Sequence, residues 1–387
     1  MDAALRTRCG VLRTALGYYG GRLARRPQAR LDELAARSVT VCPAGQVPAI
    51  TPFFWQEQLP RIRGAVRATA KQVIEEHLHR KTFVFTPVVA HWLRDAVLLD
   101  GSVYAGHWRH ELRANPSKWR PSLVPLGAAA ECREGALAST CAGSNWYGHF
   151  IEDEIPYQML ASTFGPLVAH ERPAYSHEPA YRRMLDLAEP ARYGAARFEQ
   201  LVVIDEFAQN PDKTRRYQAI RSKFARHPRG RERVFLMRGD SGARRVLVDE
   251  AELALRLEQQ GFALLDVRTA TAEQIVATCR GARTIVSVEG SHLAPALYLL
   301  QDGGCLVILN PPYQTHVTVA DIGVFCGLSS GMFICTPHGQ SRTDFAADAD
   351  EVIRFVEDVE RHATRQAPQL AEFVRTVIDQ GARTAYA

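Results

Sequence analysis

Thr284-Ile285-Val286-Ser287-Val288-Glu289-Gly290-Ser291-His292-Leu293 is the stretch whose reading decides the fold. Its first five residues are β-branched or small, and they read as a short strand buried on both faces. Gly290 breaks the pattern, either for close backbone approach or for positive φ. A helix is expected over 292–301, with Ser291 as its N-cap and the amides of its first turn as an anion site. Glu289 stands where a carboxylate would oppose a phosphate. It therefore reads either as a partner for ribose or sugar hydroxyls or as a turn carboxylate capping the helix. His292 either reaches the same site or packs beneath it.

Working outward, strands at 234–237, 263–267 and 305–309 alternate with helices at 249–260 and 271–280, and Gly261, Gly281 and Gly303 stand where those helices should stop. Short apolar strands separated by helices of ten or so residues predict βαβ units and a parallel, doubly wound sheet. Upstream lie a short strand at 201–204, a basic helix at 213–226 and a linker at Pro228-Arg229-Gly230. Downstream, a polar loop leads into a last helix at 349–381. The first half is α/β but less legible: a Pro-rich run (Pro43, Pro48, Pro52, Pro60), a strand at 82–89, and two short strands around Asp100-Gly101.

A chain of 387 residues is long enough for two cores. The expected division is a basic helical segment at 1–40, an α/β domain at 41–200, a nucleotide-binding domain at 201–345 and a helix at 346–387. The hydrophobic fraction of 46% excludes a disordered scaffold, and a formal charge of +5 is too slight for a nucleic-acid binder. Eight cysteines are scattered without a CxxC pair, which argues against structural zinc and for a reducing compartment. No signal-peptide core or membrane-length apolar run is present, so a soluble cytoplasmic protein is expected. Arg6, Arg8, Arg13, Arg22, Arg25, Arg26 and Arg30 interleave with Leu5, Val11, Leu12, Leu16, Tyr18 and Tyr19. Such a segment either lies on the inner face of an anionic membrane or packs one face on the protein.

In an open parallel sheet, ligands bind beyond the carboxyl ends of the strands. One strand delivers Arg238 there, and Arg244 and Arg245 return after a Gly-rich turn. Arginine forks suit phosphate, although a solvated surface loop has the same composition. Asn310, in Asn310-Pro311-Pro312-Tyr313, either meets a base or sugar or merely punctuates the chain. In the first half, the stretch from Asn145-Trp146-Tyr147-Gly148-His149 to Asp153-Glu154-Ile155-Pro156 is the densest polar and aromatic cluster. Helical geometry would put His149 and Asp153 on one face, as a tuned base or a structural pair. Together with a third ligand they would also suit a metal, but no motif supplies that third ligand.

Three segments, in order, resemble glycosyltransferase family 61. Asn145 to Pro156 is similar to the family's N-Y-x-H-W-x-x-D-x-L-P segment. Arg238 to Arg245, followed by Asp249, Glu250 and Glu252, is similar to R-x-x-[ST]-x-R-R-x-x-N-E-x-E. Gly261-Phe262 through Ile285 to Leu293 is similar to G-F-x-V…I-x-G-x-H-G-A-G-L. The departures are Glu289 in place of His, His292 in place of the second Gly, and Asp249 in place of Asn; they resemble a bacterial branch.

The resemblance implies a GT-B-like fold, in which two Rossmann-like domains face a cleft and a C-terminal helix packs back. It implies inverting transfer from a nucleotide-sugar, a UDP-sugar in particular, to a glycan or lipid-linked glycan in bacterial surface polysaccharide synthesis. No cofactor or essential metal is expected. Arg238, Arg244, Arg245, Gly290, Ser291, His292 and Asn310 would hold the donor, and Asn145 and Tyr147 would lie on the acceptor side. Asp153 is the first choice of base, before His149 and Glu289. Two other readings stand beside it. One is an NAD(P)-dependent oxidoreductase, which the missing GxGxxG disfavours. The other is an inactive glycan-binding relative, prompted by the altered 289–292 turn.

Overall fold

The computed structural model describes residues 3–25, 27–66, 68–113, 129–206 and 208–382. Within them, the side chains of residues 3–9, 12 and 382 are not described. Leu5, Arg6, Arg8, Leu12 and Arg26 of the basic segment therefore lie outside the described side chains, as does Cys9. Among the seven described cysteines no disulfide is formed. The chain forms two compact units, residues 1–44 with 86–208 and residues 45–85 with 209–387.

The first unit is built on a mixed sheet. Its spine is the twelve-residue strand Val88–Leu99, antiparallel to Ala195–Asp205 on one side and to Ala35–Cys42 and Ser102–Ala105 on the other. Beyond Ala195–Asp205 the pairing turns parallel, through Ala130–Leu137, Leu167–His170 and Ala191–Tyr193. The Asp100-Gly101 turn forms as expected, with both residues at positive φ. The strand before it is longer than its sequence pattern suggested. The strand expected at 82–89 is in fact two, Thr82–Phe85 and Val88–Leu99, separated at Pro87, whose missing N–H interrupts a ladder.

The basic N-terminal segment is helical over Ala3–Leu23 and again in the single turn Leu31–Leu34, and Ala35–Cys42 is a strand, as its Val and Thr residues favour. Val11, Ala15 and Tyr18 recur at helical spacing and bury against Val97, Leu99 and Tyr104 of the sheet. Among the described residues, no helix is long and apolar enough to cross a membrane.

The second unit contains the doubly wound sheet. Its strands, here β1 (Arg233–Met237), β2 (Ala263–Asp266), β3 (Thr284–Val288), β4 (Cys305–Asn310) and β5 (Ser329–Ile334), lie in the order 2-1-3-4-5. Every neighbouring pair is parallel. Gly261, Gly281 and Gly303 each take positive φ after the preceding helix or turn, the conformation a helix stop needs. On one face, Phe235, Val286, Val288, Val307, Leu309 and Phe333 pack against Leu253 and Leu257 of helix Glu250–Gln259. The same layer takes Val352, Phe355, Val356 and Val359 of the long helix Ala349–Ala382, an apolar stripe at i, i+3, i+4 and i+7. Residues 45–85 complete the unit. Phe53 bonds to Ser330 and Met332, covering the exposed edge of β5, and Arg61 pairs with Glu351 at 2.7 Å.

Candidate functional site

In the 2-1-3-4-5 order, β1 and β3 are neighbours whose onward connections diverge. The crevice beyond their carboxyl ends is the place where such sheets take ligands. Arg238 follows β1, and Glu289 and Gly290 follow β3. The Arg238 guanidinium is buried, at 3% exposure, and donates to the carbonyls of Ala243 and Arg245, folding the 239–245 loop over itself. The loop's start is clamped by Glu250, the first residue of the next helix, whose carboxylate accepts the N–H of Arg238 at 2.8 Å and of Gly239 at 2.7 Å. Burial, then the charge of Arg245, lower the Arg238 pKa from its ordinary value.

Arg245 then turns onto the β3 turn. It forms an ion pair with Oε2 of Glu289 and donates from Nε to Gln314 at 2.9 Å. The other Glu289 oxygen meets Nδ1 of His316 at 3.1 Å. Burial would raise this carboxyl, but the His316 hydrogen bond and the Arg245 charge outweigh it and hold the pKa below its ordinary value. Gly290 allows a close approach: a Cβ there would meet the His292 ring at 3.0 Å and Arg238 Nε at 3.1 Å, so these side chains would have to give by a few tenths of an ångström. Ser287 donates to Leu236 O at 2.6 Å and lies 2.7 Å from Nε2 of His292. A hydroxyl has one proton, so His292 is the donor of the second bond and its Nδ1 carries the lone pair. Burial and the Arg238 charge push the His292 pKa down to about 3, leaving a neutral ring between Ser287 and the crevice.

Two sequence expectations change here. The helix at 292–301 is a 3-10 turn, Ser291–Leu293, followed by a short helix, Ala296–Leu299, because Pro295 has no N–H to continue the ladder. Gly290, not Ser291, precedes the turn, and no side chain caps it. So short a helix adds little dipole, and anion affinity must come chiefly from the arginines.

The remaining candidates in this unit diverge. Arg244 is exposed and pairs with Asp344 at 3.2 Å. Asn310 is fully buried, its Oδ1 accepting the His316 N–H at 3.0 Å, while the Pro311–Thr315 turn is held by Gly64. Arg238, Arg245, Glu289, Gly290 and His292 thus share one place, and Arg244 and Asn310 serve the scaffold around it. His316, Gln314 and Glu250 complete the network. The sequence reading missed His316 and Gln314 because they sit in a loop far along the chain with no motif around them.

In the first unit, the helix after Trp146 is interrupted. Tyr147–His149 is α-helical, Phe150–Glu154 is a π-turn closed by the Ile155 N–H on Phe150 O, and Ile155–Ala161 is α-helical again. Pro156 explains the widening: its ring would collide with the carbonyl of Glu152 and it has no N–H to offer. His149 and Asp153 share a face, with Nδ1 2.8 Å from Oδ2. Glu152, only 3% exposed, brings a carboxylate to 3.8 Å from the same nitrogen. The ligand atoms of these three residues lie within 4.8 Å of one another, so Glu152 is the third group that the sequence motif did not supply for a cation.

Beneath the turn, Glu154 accepts from Thr140 N at 3.0 Å and pairs with Arg172 at 3.1 Å, and Arg172 also pairs with Glu178 at 2.8 Å. Burial raises the Glu154 carboxyl. This buried ionic layer fixes the turn, so His149 and Asp153 stand half-exposed on a rigid base. Trp146 lies edge-on to His149 at 5.9 Å. Asn145 points inward, donating to Leu112 O at 3.1 Å, and Tyr147 packs on Tyr175 and His177, with burial raising its hydroxyl pKa.

Residues 147–307 match the family model described as Glycosyltransferase 61. The match runs from the π-interrupted helix through β1 to β3 and into β4, and so takes in His149, Glu152 and Asp153 and also Arg238, Arg245, Glu289, Gly290 and His292, but ends before Gln314 and His316. No curated protein matches the chain.

Proposed function

As a glycosyltransferase of family 61, this chain, we propose, transfers a sugar from a nucleotide-sugar, a UDP-sugar in particular, to a glycan acceptor with inversion at the anomeric carbon. The observation that carries the reading is the convergence of Arg238, Arg245 and Gly290 at the carboxyl ends of adjacent strands β1 and β3. Positive groups fixed in a partly desolvated crevice suit the charge that grows on a diphosphate as the sugar leaves.

In the reaction, the Asp153 carboxylate takes the proton of an acceptor hydroxyl. The acceptor oxygen bonds to the anomeric carbon from the face opposite the nucleotide, the bond from that carbon to the β-phosphate oxygen breaks, and its electron pair leaves on the diphosphate. His149, bonded to Asp153, orients the carboxylate. Glu289 is the poorer base, since both its oxygens are engaged by Arg245 and His316. Neutral His292 presents a lone pair suited to a donor hydroxyl, and with Glu289 it is the place where donor choice would be set.

The reading needs no metal, because the arginines supply the countercharge. It takes the fold as GT-B-like, with bacterial surface polysaccharide as the product. A lipid-linked acceptor agrees with the exposed Arg13, Leu16 and Leu23 on the outer side of the first helix, with Arg22 and Arg25 exposed at and just beyond its end. The test is a panel of nucleotide-sugars scored by thermal stabilisation and nucleotide release, with NADH as control. Stabilisation by a UDP-sugar but not by NADH is expected; a ligand at 100 times its Kd adds about 2.7 kcal/mol. Stabilisation by NADH alone would sink the reading.

A further inference from the structure

The amino ends of the same strands carry a second basic constellation. Arg229 precedes β1, Arg280 precedes β3, Asp302 precedes β4, and Arg221 and Ser222 lie in the last turn of helix Pro211–Phe224. Together with Tyr298 they line a cavity of about 230 Å³. The strand β3 lies between this cavity and the Glu289 turn. Five residues of strand at about 3.3 Å each separate the two by roughly 15 Å.

Arg221 is 7% exposed. Its Nη1 donates to Leu297 O at 2.7 Å and its Nη2 to Leu300 O at 3.0 Å and to Asp302 at 2.7 Å. Its buried Nε has no hydrogen-bond partner. Arg229 donates to Gly281 O at 2.9 Å and to Gln301; Arg280 donates to the carbonyls of Phe224 and Ala225. Stapling helix ends accounts for these contacts, but carbonyl dipoles do not neutralise cations. Three guanidinium groups here face a single lining carboxylate, Asp302, whose side chain is 96% exposed. Among the described residues, no carboxylate pairs with Arg229 or Arg280.

We propose that this cavity binds a phosphate group, as free phosphate, a soluble phosphate ester or a phospholipid headgroup, remote from the donor crevice. Arg229 and Arg280 would supply guanidinium forks and the unpartnered, buried Nε of Arg221 a further donor, while Ser222, whose hydroxyl donates to Gln218 O at 2.9 Å, lines the rim and Asp302 swings into solvent.

Inorganic phosphate is titrated calorimetrically into the full chain, with chloride at matched ionic strength as control. The variants are Arg229→Gln with Arg280→Gln, and separately Ser222→Glu, which keeps every arginine staple and changes an exposed side chain. Phosphate binding is expected in the wild type, with one binding event weakened about tenfold or more in both variants, ~1.4 kcal/mol. Equal affinity and stoichiometry in Ser222→Glu and wild type, or no wild-type binding beyond chloride, would overturn the proposal. Co-sedimentation with phosphatidylcholine vesicles containing phosphatidylglycerol separates the sources. Loss of vesicle binding in Ser222→Glu assigns the phosphate to a lipid, and unchanged vesicle behaviour with lost phosphate binding assigns it to a soluble ligand.

Discussion

Arg245 and Glu289, 44 residues apart in the chain, form an ion pair that fastens the loop after β1 to the turn after β3. Both side chains are largely buried, at 16% and 5% exposure, so neither charge can retreat to water if the other is removed. Glu289→Gln should therefore cost about 2–4 kcal/mol of unfolding free energy in urea titrations. A double-mutant cycle with Arg245→Met should show a coupling of about 1–3 kcal/mol. Additive losses would mean that the pair does not hold the crevice together.

Arg238 acts through the same loop. Its guanidinium holds two loop carbonyls and approaches Gly290, so Arg238→Ala should lower nucleotide release by about 10²–10³-fold and also cost about 2–3 kcal/mol of stability. Arg238→Lys should recover little of either, because a point charge cannot reach both carbonyls. Steady-state rates and urea midpoints on the same preparations check this; full rescue by lysine would contradict it.

Much of the second unit was legible because each level of its sequence agrees. Apolar runs at 234–237 and 284–288, helical spacing at 249–260 and a glycine at 261 all specify one parallel sheet. Strand β5 was not legible, since Ser329-Ser330-Gly331 opens it with polar residues and a glycine that only the packed structure buries. The helix at 292–301 was overdrawn because the apolar run Leu293–Leu300 masked Pro295. In the site, the His149–Asp153 contact followed from helical spacing alone. The contacts of Glu289 with Arg245 and His316 did not, because they depend on how the ends of three strands come together.

The neutral His292 ring gives stability a pH dependence with a fixed sign. Its folded pKa, about 3, lies below the ordinary 6.5, so the unfolded chain binds the extra proton between those values. The contribution is complete above pH 6.5 and is lost as pH falls toward 3. Urea unfolding at pH 7.5 and pH 5 should show the wild type losing about 1–2 kcal/mol more than His292→Gln. Equal losses would mean that the ring is not held neutral.

Chelation tests the metal-free reading. Exhaustive EDTA treatment should leave nucleotide release within about twofold of the untreated enzyme if, as proposed, Arg238 and Arg245 supply the countercharge. Loss of activity restored by a divalent cation would contradict this and would turn attention to His149, Glu152 and Asp153 as the group holding the ion.

The central claim is that Asp153 is the base of an inverting transfer from a nucleotide-sugar bound elsewhere on the chain. Hydrolysis of the best UDP-sugar, with water as acceptor, measures it most directly in the wild type and in Asp153→Asn. The variant should release UDP about 10²–10⁴-fold more slowly while binding UDP with unchanged Kd, since the amide keeps the shape of the His149 contact but cannot take a proton. UDP release at the wild-type rate in Asp153→Asn would contradict the account.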